Sequence, residues 1–130
     1  MRHGLTYYLG QDGRPFLFLD SGAAEASKAF SSICKALNYK NRLIAVNKDP
    51  SDVHSIREKS GLECVCGDIF DVVKNGKMMK RLAPLGCAAV WFDLETTLKK
   101  VDLDALRKVV EQGSIVCVTV SKRTSDDADM

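Results

Sequence analysis

The feature that most constrains this chain is a repeating order. Short apolar runs end in a polar residue, and an amphipathic or capped segment follows each. Phe16-Leu17-Phe18-Leu19 ends at Asp20, and Leu43-Ile44-Ala45-Val46 ends at Asn47. Leu62 to Cys66 leads into Gly67-Asp68, Cys87 to Phe92 ends at Asp93, and Ile115 to Val120 ends at Ser121. Runs this short and continuous predict strands covered on both faces. Between them, the segment from Ala23 to Lys40 carries Ala26, Phe30, Ile33, Cys34 and Leu37 at helical spacing. Asp49-Pro50 is a helix start, with a capping carboxylate and a proline suited to the first turn, and Gly61 can close that helix. A helical stretch from Asp68 to about Arg81 is interrupted at Asn75-Gly76. Leu103, Leu106, Val109 and Val110 form one face of a last helix that Gly113 stops. Strand and helix in alternation imply right-handed crossovers and a parallel sheet, so the predicted class is a three-layer α/β fold with five parallel strands.

A chain of 130 residues fits one domain, here residues 1–123. The polar, acidic stretch 124–130 is expected to form a disordered tail. The net charge of +2 is too small to argue for nucleic acid by itself. Five cysteines are an odd number for a disulfide framework, and most of them fall in or beside apolar runs. Cys64 and Cys66 share one face of a strand, and no further ligands complete a tetrahedral metal site. No signal peptide is evident. No run approaches the ~20 apolar residues that cross a bilayer. The expectation is a reduced, intracellular, cytoplasmic protein without a membrane partner.

In parallel sheets of this kind, ligands bind outside the carboxyl ends of the strands. Those ends carry Asp20, Asn47, Asp68, Asp93 and Ser121. Asp20-Ser21-Gly22-Ala23-Ala24 offers small residues that let a ligand approach the backbone, before a helix with unpaired amides. Asn47 or Asp49 could bond a ribose, and Asp68 could accept from an exocyclic amine with Ile69 against a flat ring. The same residue types also serve ordinary turns and helix caps.

Taken together, these segments resemble the class I S-adenosylmethionine-dependent methyltransferases. Phe16 to Gly22 resembles that family's first motif, an apolar strand, an acidic residue and a glycine loop. Leu43 to Pro50 resembles its second strand and helix start. Cys66-Gly67-Asp68-Ile69 resembles the Gly-Asp pair that meets adenine. Ala89 to Leu94 resembles the fourth strand, whose terminal Asp lies near the methyl donor. The resemblance covers Phe16 to Val120. It implies a Rossmann-like sheet of order 3-2-1-4-5 and S-adenosylmethionine as cofactor. It assigns Asp20, Gly22, Ala24, Asn47, Asp49, Asp68 and Ile69 to cofactor binding, and Asp93 and Glu95 to catalysis.

The chain departs from the family in several places. Ala24 and Ala26 stand where the loop usually has glycine, and an extra methyl there could crowd the methionine part of the cofactor. Asn47 replaces the ribose-binding acid. Asp93-Leu94-Glu95-Thr96-Thr97 does not match the motif of base-methylating enzymes, and the chain ends after the fifth strand. These departures keep a second reading open, a non-catalytic binding or regulatory domain of the same architecture. A phosphoacceptor receiver domain is a third, and it would have strand order 2-1-3-4-5.

His3 and His54 lie away from the predicted rim. Lys74, Lys77, Lys80 and Arg81 form a basic cluster around Met78 and Met79 that could meet nucleic acid or an acidic partner, with Lys122-Arg123 as an extension. A solvated surface with two core methionines is the favoured explanation of that cluster. Tyr7, Tyr8 and Leu9 are expected to pack an N-terminal element onto the sheet, to close the cofactor cleft or to form a homo-oligomer contact.

Overall fold

The computed structural model describes residues 13–94 and 101–120. Glu95, the Tyr7-Tyr8-Leu9 segment, His3, Ser121, Lys122-Arg123 and the acidic tail lie outside these residues. Five strands form one parallel sheet: β1 (Phe16–Leu19), β2 (Leu43–Asn47), β3 (Glu63–Cys66), β4 (Ala89–Leu94) and β5 (Ile115–Val120). Their order is β3-β2-β1-β4-β5. The expected Rossmann-like α/β fold is therefore the observed one, and the receiver order is not.

Helices α1 (Glu25–Leu37) and α2 (Pro50–Ser60) connect the first three strands. Helices α3 (Ile69–Lys74), α4 (Gly76–Leu82) and α5 (Leu103–Glu111) connect the last three. The chain steps one way along the sheet from β1 to β3, then crosses back to β4 and β5. Right-handed crossovers put the first two connections on one face and the later ones on the other. The strand register gives each face its own core. Phe18, Leu43, Ala45 and Cys64 pack with Ala24, Cys34, Val53 and Ile56 on the α1–α2 face. Leu17, Ile44, Val46, Val90 and Phe92 pack with Ile69, Val72, Val73, Met79, Leu82, Ala105 and Val109 on the other.

Helix ends follow the chemistry of the sequence. Asp49 caps α2 by accepting from the Ser51 amide, Pro50 occupies the first turn, and Gly61 closes the helix with φ +72°. Asp68 caps α3 through the Phe70 and Asp71 amides. Asn75 both ends α3 and caps α4, where its Oδ1 accepts from the Met78 amide. The interruption expected at Asn75-Gly76 is thus a junction between two short helices. Asp102 caps α5 through the Ala105 amide and also pairs with Lys74. That pairing, chiefly a side-chain hydrogen bond, holds the Asp102 carboxyl below the usual carboxylate range and raises the Lys74 ammonium.

Two expectations about coverage need correction. The apolar stripe of α1 is not wholly inward. Cys34 is buried and Phe30 half-buried, but Ile33 and Leu37 are about half exposed, and Ser27 takes a fully buried position instead. In addition, among the described residues β4 and β5 are covered by helices on one face only. Trp91, Asp93, Ile115, Cys117 and Thr119 alternate along the other face and are exposed. The crossover geometry accounts for both results, because α1 lies mainly over β1 and β2, meeting β4 through Phe30 and Trp91, and no helix after α2 among the described residues returns to that side.

Candidate functional site

Parallel strands place their carboxyl ends on one rim, and the register aligns the polar residues there. Asn47 pairs with Cys66, and Asp93 pairs with Thr119. Asp20 stands one residue past the Leu19–Val46 pair and two past the Phe18–Trp91 pair, level with Asn47 and Asp93. Cys66, Asn47, Asp20, Asp93 and Thr119 therefore form a single row across the sheet. Asp49 and Asp68 stand two residues beyond the row at the second and third tips. The structure thus brings together the ends of the first four strands, as the sequence implies. Cys66 and Thr119 join the row without having been singled out as rim residues. Strand pairing assigns them their level, and no local sequence signal does.

The members differ in how much of their hydrogen-bonding capacity is free. Asp20 accepts from the Ser21 and Ala26 amides at 2.8 and 3.1 Å through Oδ1, and from the Ser27 amide at 2.8 Å through Oδ2. Both oxygens hold the start of α1. Asn47 donates from Nδ2 to the Asp20 carbonyl at 2.8 Å and accepts from the Asp49 amide at 2.8 Å. Its amide is a brace between the first two strand tips. Asp49 uses Oδ1 for the amide and hydroxyl of Ser51, and these bonds lower its carboxyl below the usual range. Asp68 uses Oδ1 for its cap, and Asp93 uses Oδ1 to accept from the Thr119 hydroxyl at 2.7 Å. Asp49, Asp68 and Asp93 each retain one carboxylate oxygen without a hydrogen bond among the described residues. Those three oxygens are the least engaged carboxylate acceptors among the described rim residues.

The glycine loop is packed from one side. The Gly22 carbonyl accepts from the Ser55 hydroxyl at 2.7 Å and from the Lys59 ammonium at 3.2 Å, so α2 grips this loop. A methyl group on Gly22 would meet Asp52 Oδ1 at 2.5 Å. Ala24 turns the chain into α1 in the left-handed region, at φ 59° and ψ 31°, a conformation that ordinarily favours glycine. Its methyl is fully buried in the core on the α1–α2 face. The alanine at this loop position thus turns its methyl into the protein interior.

At the third tip the structure exchanges neighbours. Ile69, expected to face a flat ring, is 2% exposed and belongs to the core. The half-buried aromatic beside it is Phe70, stacked on Phe92 with ring centroids 5.4 Å apart and 20° between planes. Starting α3 at Ile69 sets which of two adjacent apolar residues turns inward. The sequence alone does not place that start to within one residue.

Other candidates lie apart from the rim. Lys77, Lys80 and Arg81 are exposed on α4, while Met79 is buried and Met78 half-buried beneath them. Lys74 is engaged with Asp102, and the other three cations project from an exposed face over two packed methionines. His54 is exposed and pairs with Glu58 along α2. A cavity of about 320 Å³ opens between α4 and α5, lined by Met79, Lys80, Leu85, Gly86, Lys108 and Gln112. Gly86 and Gln112 precede β4 and β5, so this cavity lies at the amino end of the sheet, opposite the rim.

The cysteines separate by environment. Burial pushes the Cys64 and Cys87 thiols up to about 11 and raises Cys34. Cys66 is exposed at the rim, where its Sγ lies 3.6 Å from the Lys48 carbonyl. A thiol-specific disulfide reagent at pH 8 is therefore expected to modify the exposed Cys66 and Cys117 within minutes, with Cys34, Cys64 and Cys87 reacting only on unfolding. Peptide mapping by mass spectrometry reads this directly, and fast labelling of Cys64 or Cys87 in the folded protein would contradict the packing.

No family model matches this chain, and no curated protein matches it in sequence.

Proposed function

We propose that this chain is an S-adenosylmethionine-binding domain of the methyltransferase type, with its methyl acceptor left open. The observation that carries the reading is the level row of rim residues on a sheet of order 3-2-1-4-5. Ligands of such sheets bind where the strand order reverses, which here is between β1 and β4. The residues suit an adenosyl group at two contacts. Asp68 keeps an oxygen for an exocyclic amine, and Phe70 supplies an aromatic surface at the same tip. Asp49 keeps a carboxylate oxygen without a hydrogen bond for a ribose hydroxyl, whereas each end of the Asn47 amide already makes one bond. When bound, the cofactor supplies an activated methyl group. The free oxygen of Asp93 could orient an acceptor amine or receive its proton, and alignment alone supplies much of the rate in such a transfer.

One observation favours a second reading, a binding or regulatory domain without the cofactor. Both carboxylate oxygens of Asp20 and both ends of the Asn47 amide are engaged within the protein, and α2 holds the glycine loop. Isothermal titration with S-adenosylmethionine and S-adenosylhomocysteine separates the two. The first reading expects one site per chain and a rise in melting temperature, both weakened at least tenfold by Asp68→Ala. No heat and no thermal shift at millimolar ligand would leave the second reading standing.

A further inference from the structure

The cavity between α4 and α5 is lined wholly by described residues and lies at the end of the sheet opposite the rim. Met79 and Ala83, both buried, form its floor, and its volume of about 320 Å³ stands at the lower end of ligand pockets. One lip is the tight turn Ala83-Pro84-Leu85-Gly86, closed by the Gly86 amide donating to the Ala83 carbonyl at 2.9 Å. Ala83 and Cys87 are buried on either side of it, so the turn is fixed at both ends. It holds Leu85 82% exposed beside the cavity. A leucine presented on a rigid proline turn has little backbone freedom left to lose when a partner covers it.

The walls are cationic. Lys80 of α4 and Lys108 of α5 line the cavity, and no acidic residue does. Lys108 Nζ donates to the Lys74 carbonyl at 3.1 Å, and its remaining N–H groups have no partner among the described residues. Lys77, Lys80 and Arg81 share one exposed face of α4, three and four positions apart, where like charges repel. None of these three has an ion-pair partner among the described residues. The acids nearby are placed elsewhere: Asp102 pairs with Lys74, Asp104 pairs with Arg107, and Glu111 is outside the lining.

We propose that this groove docks an acidic, extended peptide segment of a partner protein, with one apolar side chain against Met79 and Leu85 and carboxylates on Lys80 and Lys108. Charge complementarity selects this occupant. A small anion inside the cavity would leave Lys77 and Arg81 unmatched, because they lie beside it on α4 without lining it. A segment of several acidic residues meets all four cations. No aromatic residue lines the groove, so it lacks the stacking platform that single-stranded nucleic acid uses. The docking is independent of whether the rim binds a cofactor.

The test is a titration of the full chain, labelled with nitrogen-15, with a peptide of one leucine between two runs of four glutamates. Amide shifts are expected to concentrate at Lys80, Leu85, Gly86 and Lys108, and the affinity to fall at least fivefold in high salt. The pair Lys77→Glu and Lys80→Glu is expected to weaken binding at least tenfold and to bind the matching lysine-for-glutamate peptide instead. Both positions are exposed, so the far-ultraviolet dichroism should not change. Leu85→Ser, a second exposed change, is expected to weaken binding at least threefold. The absence of shifts at millimolar peptide, shifts confined to other surfaces, or binding indifferent to the charge reversal would each overturn the proposal. So would a uridine decamer that binds the same residues more tightly, which would assign the face to nucleic acid, or succinate that binds as tightly as the peptide, which would assign the cavity to a small anion.

Discussion

Replacing Phe92 by alanine is expected to destabilise the protein by about 3–5 kcal/mol, the usual cost of emptying a large aromatic site in a packed core. Phe92 is completely buried on β4 and lies in the larger of the two cores, stacked on Phe70. It sits where three pieces of the fold meet: the central strands, the start of α3 and the inner face of α5. Removing its ring takes away dispersion contacts from all three, and a ring-sized void in a close-packed core cannot be closed by small movements. Against a total stability of roughly 5–15 kcal/mol for a domain of ordinary size, the loss is a large fraction. Equilibrium urea unfolding followed by far-ultraviolet dichroism checks it, with an expected midpoint shift of about 1.5–3 M at a typical slope. A shift below about 0.5 M would mean that β4 is not packed as described. Phe92→Leu should recover more than half of the loss.

The second large effect is expected at Asp20. Its carboxylate accepts three backbone hydrogen bonds, two of them from part-buried amides that open α1. A cap substituted by alanine costs about 0.5–2 kcal/mol, and the charged acceptor with several donors places Asp20 at or above the upper end. Asp20→Ala is expected to lower stability by about 2–3 kcal/mol and to loosen the first turn of α1. Hydrogen exchange at the Ala26 and Ser27 amides should accelerate by more than tenfold, while the Ile44 and Val46 amides in β2 slow or quicken only with global stability. Asp20→Asn retains one acceptor oxygen and should fall between the two. If Asp20→Ala leaves stability unchanged, the aspartate is not structural and its oxygens are free for a ligand.

The parts of the fold that could be read from residues were those with one physical cause. Most strands were continuous apolar runs, and three of the five helices start at a capping aspartate, Asp49, Asp68 or Asp102. The strand order came from a resemblance, and pairing along the whole sheet bears it out. What escaped the sequence depends on partners distant along the chain. Ile33 and Leu37 lie on the same stripe as Cys34, yet only the residues above β1 and β2 find a covering strand. Asn47 looked like a ribose acceptor because its amide is polar and sits at a strand tip. Its actual bonds reach back to the Asp20 carbonyl, 27 positions away. Ile69 and Phe70 were interchangeable until the start of α3 set which one turned inward. For the rim, the sequence identified the tips, and strand register decided which of their atoms remain available.

The grip of Ser55 and Lys59 on the Gly22 carbonyl has a thermodynamic consequence for whatever settles at the rim. It makes the first crossover loop and the second crossover helix one mechanical unit. A molecule resting on that loop would stiffen a helix it never touches, and by linkage a change in the helix that loosens the loop would weaken the molecule's hold. Affinity at this end of the sheet would then be tunable from the outer surface of α2, through substitutions chosen for helix propensity and remote from the ligand.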